Sequence, residues 1–400
     1  MLTDRTELLT PRVPAAWDSL ATAWPVEVGT RWLRAEHGRV SPTQFVTIVE
    51  DDAAPVAAAS WLLLTGAEER RGYSAYDLVL DCGPVPADDG DARRLAALRR
   101  RLPASAVLPC ASVVMPGTDQ PAIVWDRDRE PRVRQSALAR LVAAVTRAAR
   151  RTGARGVAFA NVPAGGDWQV LRVALAEAGF AEAVQPPSVE LALPAGGIAE
   201  YLDRLPRARR KKCRREMRAF ADAVSEVRVY DADRLCHDDI VGMLHDRYVK
   251  YGHASSPASV RDRMRRAQDL PGVTVLVAER DGRACGFKAF VVDVPLGRVV
   301  SRFGGFLPND YFGYFNLAYY EPIRYAAGRG LATMTLGTGS YAAKVARGAG
   351  LESRSCYVDA ADPAVATLLG EACTTRSALE RRRLADELGT NERWTGRSDR

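Results

Sequence analysis

The chain repeats itself, and the repeat limits the fold more than any single motif does. QFVTIVEDDAAPVAAASWLLL (Gln44–Leu64) and GVTVLVAERDGRACGFKAFVVDV (Gly272–Val294) each show an apolar, β-rich run, an acidic residue with Asp at a tight turn, a small residue and a second apolar run. That is the pattern of an antiparallel hairpin. The same order of elements then follows twice. The first half continues with a strand near Ala111–Trp125, a helix over Leu138–Gly153, a strand GVAFANV, a helix WQVLRVALAEAGF and a strand SVELALP. The second gives RVVSRFGGF (Arg298–Phe306), a helix over Leu317–Gly330, a strand ATMTLG, a short helix SYAAKVARGAG and a strand SRSCYVD. Both long helices carry a one-sided apolar face and close on a glycine suited to a left-handed cap. A period of about 200 residues is far too long for a solenoid. The reading is two tandem domains of α/β (α+β) class, each a mixed, mostly antiparallel sheet flanked by helices.

Length agrees, since 400 residues exceed the size at which one core keeps growing. The expected division is 1–195, 196–360 and a C-terminal helix with a flexible tail over 361–400. The first junction falls where ALPAGGIAEYLDRL (Ala192–Leu205) passes from a strand through small residues into a helix.

Charge is concentrated just past that junction. RARRKKCRREMRAF (Arg207–Phe220) holds eight Lys or Arg side chains against one Glu, a net of +7, which equals the net of the whole chain. Pro206 stands before it, a residue suited to a first helical turn, so a basic helix is expected over 206–224. Solvated helix faces ordinarily alternate acids and bases, whereas like charges at i, i+4 repel. Arg207, Arg210, Lys211, Arg214, Arg215 and Arg218 stack cation on cation, an arrangement that a polyanion such as nucleic acid, a nucleotide diphosphate or CoA relieves. Such contacts fix position without reading sequence.

Several classes are disfavoured. The N-terminus MLTDRTELLTPRVP lacks a basic start followed by an apolar run, and no apolar stretch approaches the ~20 residues of a membrane span, so a cytoplasmic chain is expected. Seven cysteines without a CxxC pair and four scattered histidines argue for reduced thiols and against a metal site. Cys213 lies among cations but has no His or acid beside it, and no G-x-S-x-G elbow appears.

A hairpin, a splaying strand, then helix, strand, helix, strand is similar to the acyltransferase fold of the GNAT superfamily. The tandem arrangement with a basic helix after the first unit resembles the FemAB and FemX peptidyltransferases and the BioF-like acetyltransferase-domain proteins. The stretches that carry the resemblance are LPRARRKKCRREMRAF and FNLAYYEPIRYAAGRGLATMTLGTGSYAAKVARGAG (Phe315–Gly350). It implies an N-acyltransferase whose chemistry lies in the second domain, with catalysis by positioning and oxyanion stabilisation. Acyl-CoA users of this superfamily carry an R/Q-x-x-G-x-G/A loop that cradles pyrophosphate, whereas this chain reads GGFLPNDYFGYFN (Gly304–Asn316). Aminoacyl-tRNA is therefore the favoured donor over acyl-CoA, used as a co-substrate with no tightly bound cofactor. An amine-bearing small-molecule or cell-wall-type acceptor completes the expectation. A non-catalytic RNA- or protein-binding module is the alternative from another class.

Candidate site residues follow from this frame. Lys344 comes after the Gly337-Thr338-Gly339 turn, where open α/β sheets place their sites, and the resemblance implies that it steadies the oxyanion. Tyr341, one helical turn earlier, is positioned to pass a proton to the leaving group. Arg347 is a second cation for phosphate or a substrate carboxylate. Tyr314, Asn316 and Asp310 are expected to bind and orient the acceptor, and His253 is the candidate base.

Overall fold

The computed structural model describes residues 1–66, 73–80, 90–252, 255–307 and 312–389. Among them the strands are β1 (Leu2–Leu8), β2 (Gln44–Asp51), β3 (Ala54–Leu64), β4 (Cys110–Val113), β5 (Ile123–Trp125), β6 (Gly156–Pro163) and β7 (Ala181–Ala192). They continue with β8 (Glu226–Tyr230), β9 (Val273–Arg280), β10 (Arg283–Asp293), β11 (Arg298–Phe306), β12 (Thr333–Thr335) and β13 (Gly350–Ala360). The chain divides into two compact units, Met1–Ser188 with Glu352–Arg400, and Val189–Leu351.

Both expected hairpins are present and share their irregularities. β2 and β3 meet at Asp52 and Ala53, both at positive φ (47° and 66°), while β9 and β10 meet at Asp281 (51°) and Gly282 (73°). Two left-handed residues give the two-residue turn whose twist matches that of the strands. Each hairpin then carries a bulge at the same distance from its turn. Glu50 pairs with Pro55 but Val49 with Ala57, and Glu279 pairs with Ala284 but Ala278 with Gly286.

In the first unit the strands lie in the order β1-β2-β3-β4-β6-β13, with β5 beside β3. In the second the order is β8-β9-β10-β11-β12 and then the end of β7. Each unit has one parallel pair, β4 with β6 and β11 with β12. The last strand of each unit corrects the expected connectivity. SRSCYVD lies in β13 and pairs with β6 in the first unit, while Glu190–Ala192 of SVELALP pair with β12 in the second. The expected division at 196–360 and 361–400 changes accordingly, because Glu352 onward belongs to the first unit. There the helix Pro363–Leu388 runs for 26 residues, capped by Asp362, whose carboxylate accepts from the Ala364 and Val365 amides.

The helix Pro131–Arg151 starts seven residues before the expected one, with Pro131 at its first turn, and buries Leu138, Leu141, Val142, Val145, Ala148 and Ala149 along one face. The expected helix over Leu317–Gly330 is instead a helical segment from Gly313 to Ala326 with one wide, π-type turn over Asn316–Tyr320. Pro322 explains the irregularity, since it lacks an N–H and its ring crowds the carbonyl of Ala318 four residues back. All five residues of the wide turn are buried.

Candidate active site

The basic helix forms as Arg207–Ala223, and its inner face is Cys213, Glu216 and Phe220, spaced by three and four residues. Arg207, Arg209, Lys211, Lys212, Arg214, Arg215 and Arg218 are exposed. Arg210 is half-buried and turns back to Asp203, donating to its carboxylate at 3.0 Å. The only acid of the RARRKKCRREMRAF run is therefore the residue that anchors the helix. Glu216 is 0% exposed and receives the Arg347 guanidinium at 2.8 and 2.9 Å, together with the hydroxyl of Tyr320.

This anchor corrects two expectations. Arg347 also donates to Tyr320 Oη at 3.3 Å and to the Ala343 carbonyl at 3.0 Å, and its guanidinium carbon lies 3.6 Å from the Phe315 ring centroid. A cation so engaged braces the helix and is not offered to a phosphate. Asn316 is fully buried, its Nδ2 donating to the Glu216 carbonyl at 3.2 Å and the Phe312 carbonyl at 3.0 Å, so it ties the wide turn to the basic helix and does not orient an acceptor.

Lys344 occupies the short helix Tyr341–Val345 after β12. Between them Gly337, Gly339 and Ser340 all take positive φ (67°, 78° and 52°), which curls the turn. The Lys344 ammonium sits inside the curl, donating to the carbonyls of Leu336 (2.9 Å), Gly337 (2.8 Å) and Thr338 (3.1 Å). It is 3% exposed: a fixed positive charge with three donors directed at the turn. Tyr341 is one turn earlier, as expected, but is 0% exposed, and a phenol sealed in this way packs and does not reach a leaving group. His253 and Asp310 lie outside the described residues.

Lys344 stands where β11 and β12 part. These parallel strands pair only from Arg298 with Thr333 to Val300 with Thr335, and the carboxyl ends of parallel strands are where crevices open. β11 is bulged beyond that point, since Phe290 pairs with Ser301 but Lys288 with Gly304. A cavity of about 480 Å³ lies at this end of the unit, lined among others by Arg247, Lys250, Tyr251, Phe306, Tyr314 and Phe315. Tyr314 is thus at a pocket wall.

One residue here escaped the sequence reading. Lys288, in the middle of β10, is 7% exposed, and no hydrogen bond or ion pair joins its side-chain amine to any described residue. Burial, then the charges of Arg247, Lys344 and Arg302, hold its amine down to about 7 from an ordinary 10.5. The signal was present in the sequence, because ACGFKAFVV carries one charge in an otherwise apolar strand. Among the described residues no group of three His, Cys, Asp or Glu side chains could hold a metal ion, and no described helix is long and apolar enough to cross a membrane.

Comparison with known proteins places this geometry in a family. Residues 137–387 match the FemAB-like profile, described as peptidoglycan biosynthesis/recognition. A search of curated proteins returned no match. Among solved structures, FemX superposes with a TM-score of 0.56 at 11% identity, covering 88% of this chain and 96% of its own. A tandem GNAT protein from the clavulanic acid biosynthesis pathway gives 0.46 at 12% identity, over 90% of this chain and 99% of its own. L-PGS from Bacillus licheniformis gives 0.44 at 10% identity, over 64% and 80%. The latter two, below 0.5, carry no weight, whereas FemX supports the fold. With well over half its length matched by the family profile, the chain belongs to the FemAB-like family and is an acyltransferase of tandem GNAT fold.

Proposed function

We propose that this acyltransferase moves an aminoacyl group from aminoacyl-tRNA onto the amine of a peptidoglycan-type acceptor. The observation that carries the reading is the outer face of the basic helix, where seven cations are exposed while the one acid of the run is buried beneath them. Like charges at helical spacing repel by a few tenths of a kcal/mol per pair, and phosphates laid along the helix turn that repulsion into attraction. Membership of the FemAB-like family supports the acceptor class.

In this reading the donor enters and leaves as a co-substrate and the helix holds its backbone. The acceptor occupies the cavity edged by Arg247, Lys250 and Tyr314, where two cations against the one carboxylate of Asp246, with several aromatic rings, suit a partly apolar molecule carrying both an anionic group and an ammonium. Attack of its amine on the ester carbonyl creates a negative oxygen. Lys344, whose three N–H groups are all taken by the carbonyls of Leu336, Gly337 and Thr338, donates no hydrogen bond to it and steadies it by its nearby positive charge alone.

The test is transfer itself. Incubation of the protein with an amine-bearing peptidoglycan precursor and either charged tRNA or labelled acetyl-CoA is expected to give product only from the tRNA. Replacing Lys344 by Ala removes that charge and the brace of the turn, and should slow the reaction about tenfold or more. Product from acetyl-CoA alone would overturn the donor assignment.

A further inference from the structure

The duplication supplies an internal control for Lys288. Counting from the two-residue turns, Lys288 is the sixth residue of β10, and the sixth residue of β3 is Ala59, which is 0% exposed. Turn and bulge are the same in both hairpins, so the hairpin folds without a lysine at this place. A buried, unpartnered amine costs several kcal/mol when charged and is retained where it does work.

Its surroundings define that work. Arg247 reaches in from the helix Asp238–Lys250 and donates to the carbonyl of Gly304, the cross-strand partner of Lys288, at 2.7 Å. Arg302 stands in the bulge of β11, and Lys344 comes from the turn after β12. The wide turn packed on β10 contributes the phenols of Tyr319 and Tyr320, which burial keeps protonated, and β9 contributes Val275, Leu276 and Val277. Among the described residues, the charges acting on the amine are those of Arg247, Lys344 and Arg302, and none is a carboxylate. Burial and these three cations favour an uncharged nitrogen with an available lone pair. An acceptor amine, by contrast, arrives as an ammonium, which cannot attack until it loses a proton.

Resting on the function proposed above, we propose that Lys288 is the general base that deprotonates the acceptor ammonium at the parting of β11 and β12. The Lys288 nitrogen accepts one proton from the ammonium. The resulting amine attacks the donor's ester carbonyl, a C–N bond forms, and the C–O bond to the tRNA ribose breaks. The second proton lost by the nitrogen ends on the departing hydroxyl. The proton on Lys288 passes to water and resets the base.

Two measurements on the full chain decide this. Transfer is followed across pH 5.5–9 for the wild type, Lys288→Met and Lys288→Arg, with binding of charged tRNA measured on the same samples. The wild-type rate is expected to rise through a pKa near 7, and both variants should lose about 10²- to 10⁴-fold while still binding tRNA. Arginine keeps the charge but cannot act as a base, so a Lys288→Arg variant that retains activity overturns the proposal and points to a cation role. Separately, NMR titration of isotopically labelled lysine side chains, with Lys288 assigned by its loss in Lys288→Met, should show a midpoint near neutrality. A midpoint near the ordinary 10.5 overturns the proposal whichever donor the enzyme uses. If the wild type fails to use charged tRNA, it is the donor reading that fails, and the titration still decides the state of Lys288.

Discussion

The hairpin of the first unit and the hairpin of the second share a two-residue left-handed turn and a bulge at the same offset, yet one is apolar at its sixth position and the other holds a lysine. Ala59 pairs with Thr47 and Ile123 in a continuous run of buried side chains. Lys288 pairs with Leu276 and Gly304, beside a bulged strand and three further cations. Duplication left two sheets with the same backbone rules, and the difference teaches which features belong to folding and which to chemistry. Turn, bulge and one parallel pair occur in both units and are structural. The lysine, the cation group and the basic helix occur in the second unit alone among the described residues, and they are the features on which the proposed function rests.

The comparison can be broken experimentally. Moving the charge into the silent copy should have the largest effect. Ala59→Lys places an ammonium in a fully buried site opposite Thr47, whose hydroxyl is already hydrogen-bonded to Thr6 and Trp61, and is expected to destabilise the protein by about 4 kcal/mol or more, read by urea unfolding. A variant as stable as the wild type would show that this position accepts a lysine at no cost and would remove the functional reading of Lys288. Next comes the anchor of the basic helix. Glu216→Ala leaves Arg347 buried without its counter-charge and should cost about 3 kcal/mol or more, although it removes the one acid from the basic run. Unchanged stability would mean that the helix is held by something other than this pair.

A smaller effect has the opposite sign. Between about 7 and the ordinary 10.5 the unfolded chain carries a proton on Lys288 that the folded chain does not, so folded stability rises with pH across that window. Below it both forms are protonated and the wild type bears the full cost of the buried charge. Lys288→Met should therefore be more stable than the wild type, on the order of 2 kcal/mol at neutral pH and below. The gain should vanish above about 10.5. Thermal unfolding across pH 6–10.5 checks this, and an advantage independent of pH would indicate better packing instead.

Much of the fold was legible because it is local. Alternating apolar runs around Asp turns announce hairpins, and the one-sided face of Pro131–Arg151 announces a helix. The strand pairing was not legible. SVELALP and SRSCYVD are similar apolar runs, and only long-range contacts decide that the first completes the second unit and the second the first. The helix Pro363–Leu388 buries Thr375, Arg376, Ser377 and Glu380, which blurs the apolar period from which a helix is read. At the candidate site, Lys344 stands out in the sequence because the Gly337-Thr338-Gly339 turn precedes it. The engagement of Arg347 was not legible, since its partner Glu216 lies 131 residues away and in sequence is only the one acid of a basic run.

The central claim is that the exposed cations of Arg207–Ala223 hold the phosphates of the donor. Single-turnover transfer from charged tRNA, measured at several salt concentrations for the wild type and for a variant carrying both Arg214→Glu and Arg218→Glu, tests it most directly. Both residues are exposed, so folding stability should change by no more than about 0.5 kcal/mol. Apparent tRNA affinity should fall about tenfold or more at low salt, and the slope of log affinity against log salt should flatten by about two. An affinity and a salt slope equal to those of the wild type would contradict the account.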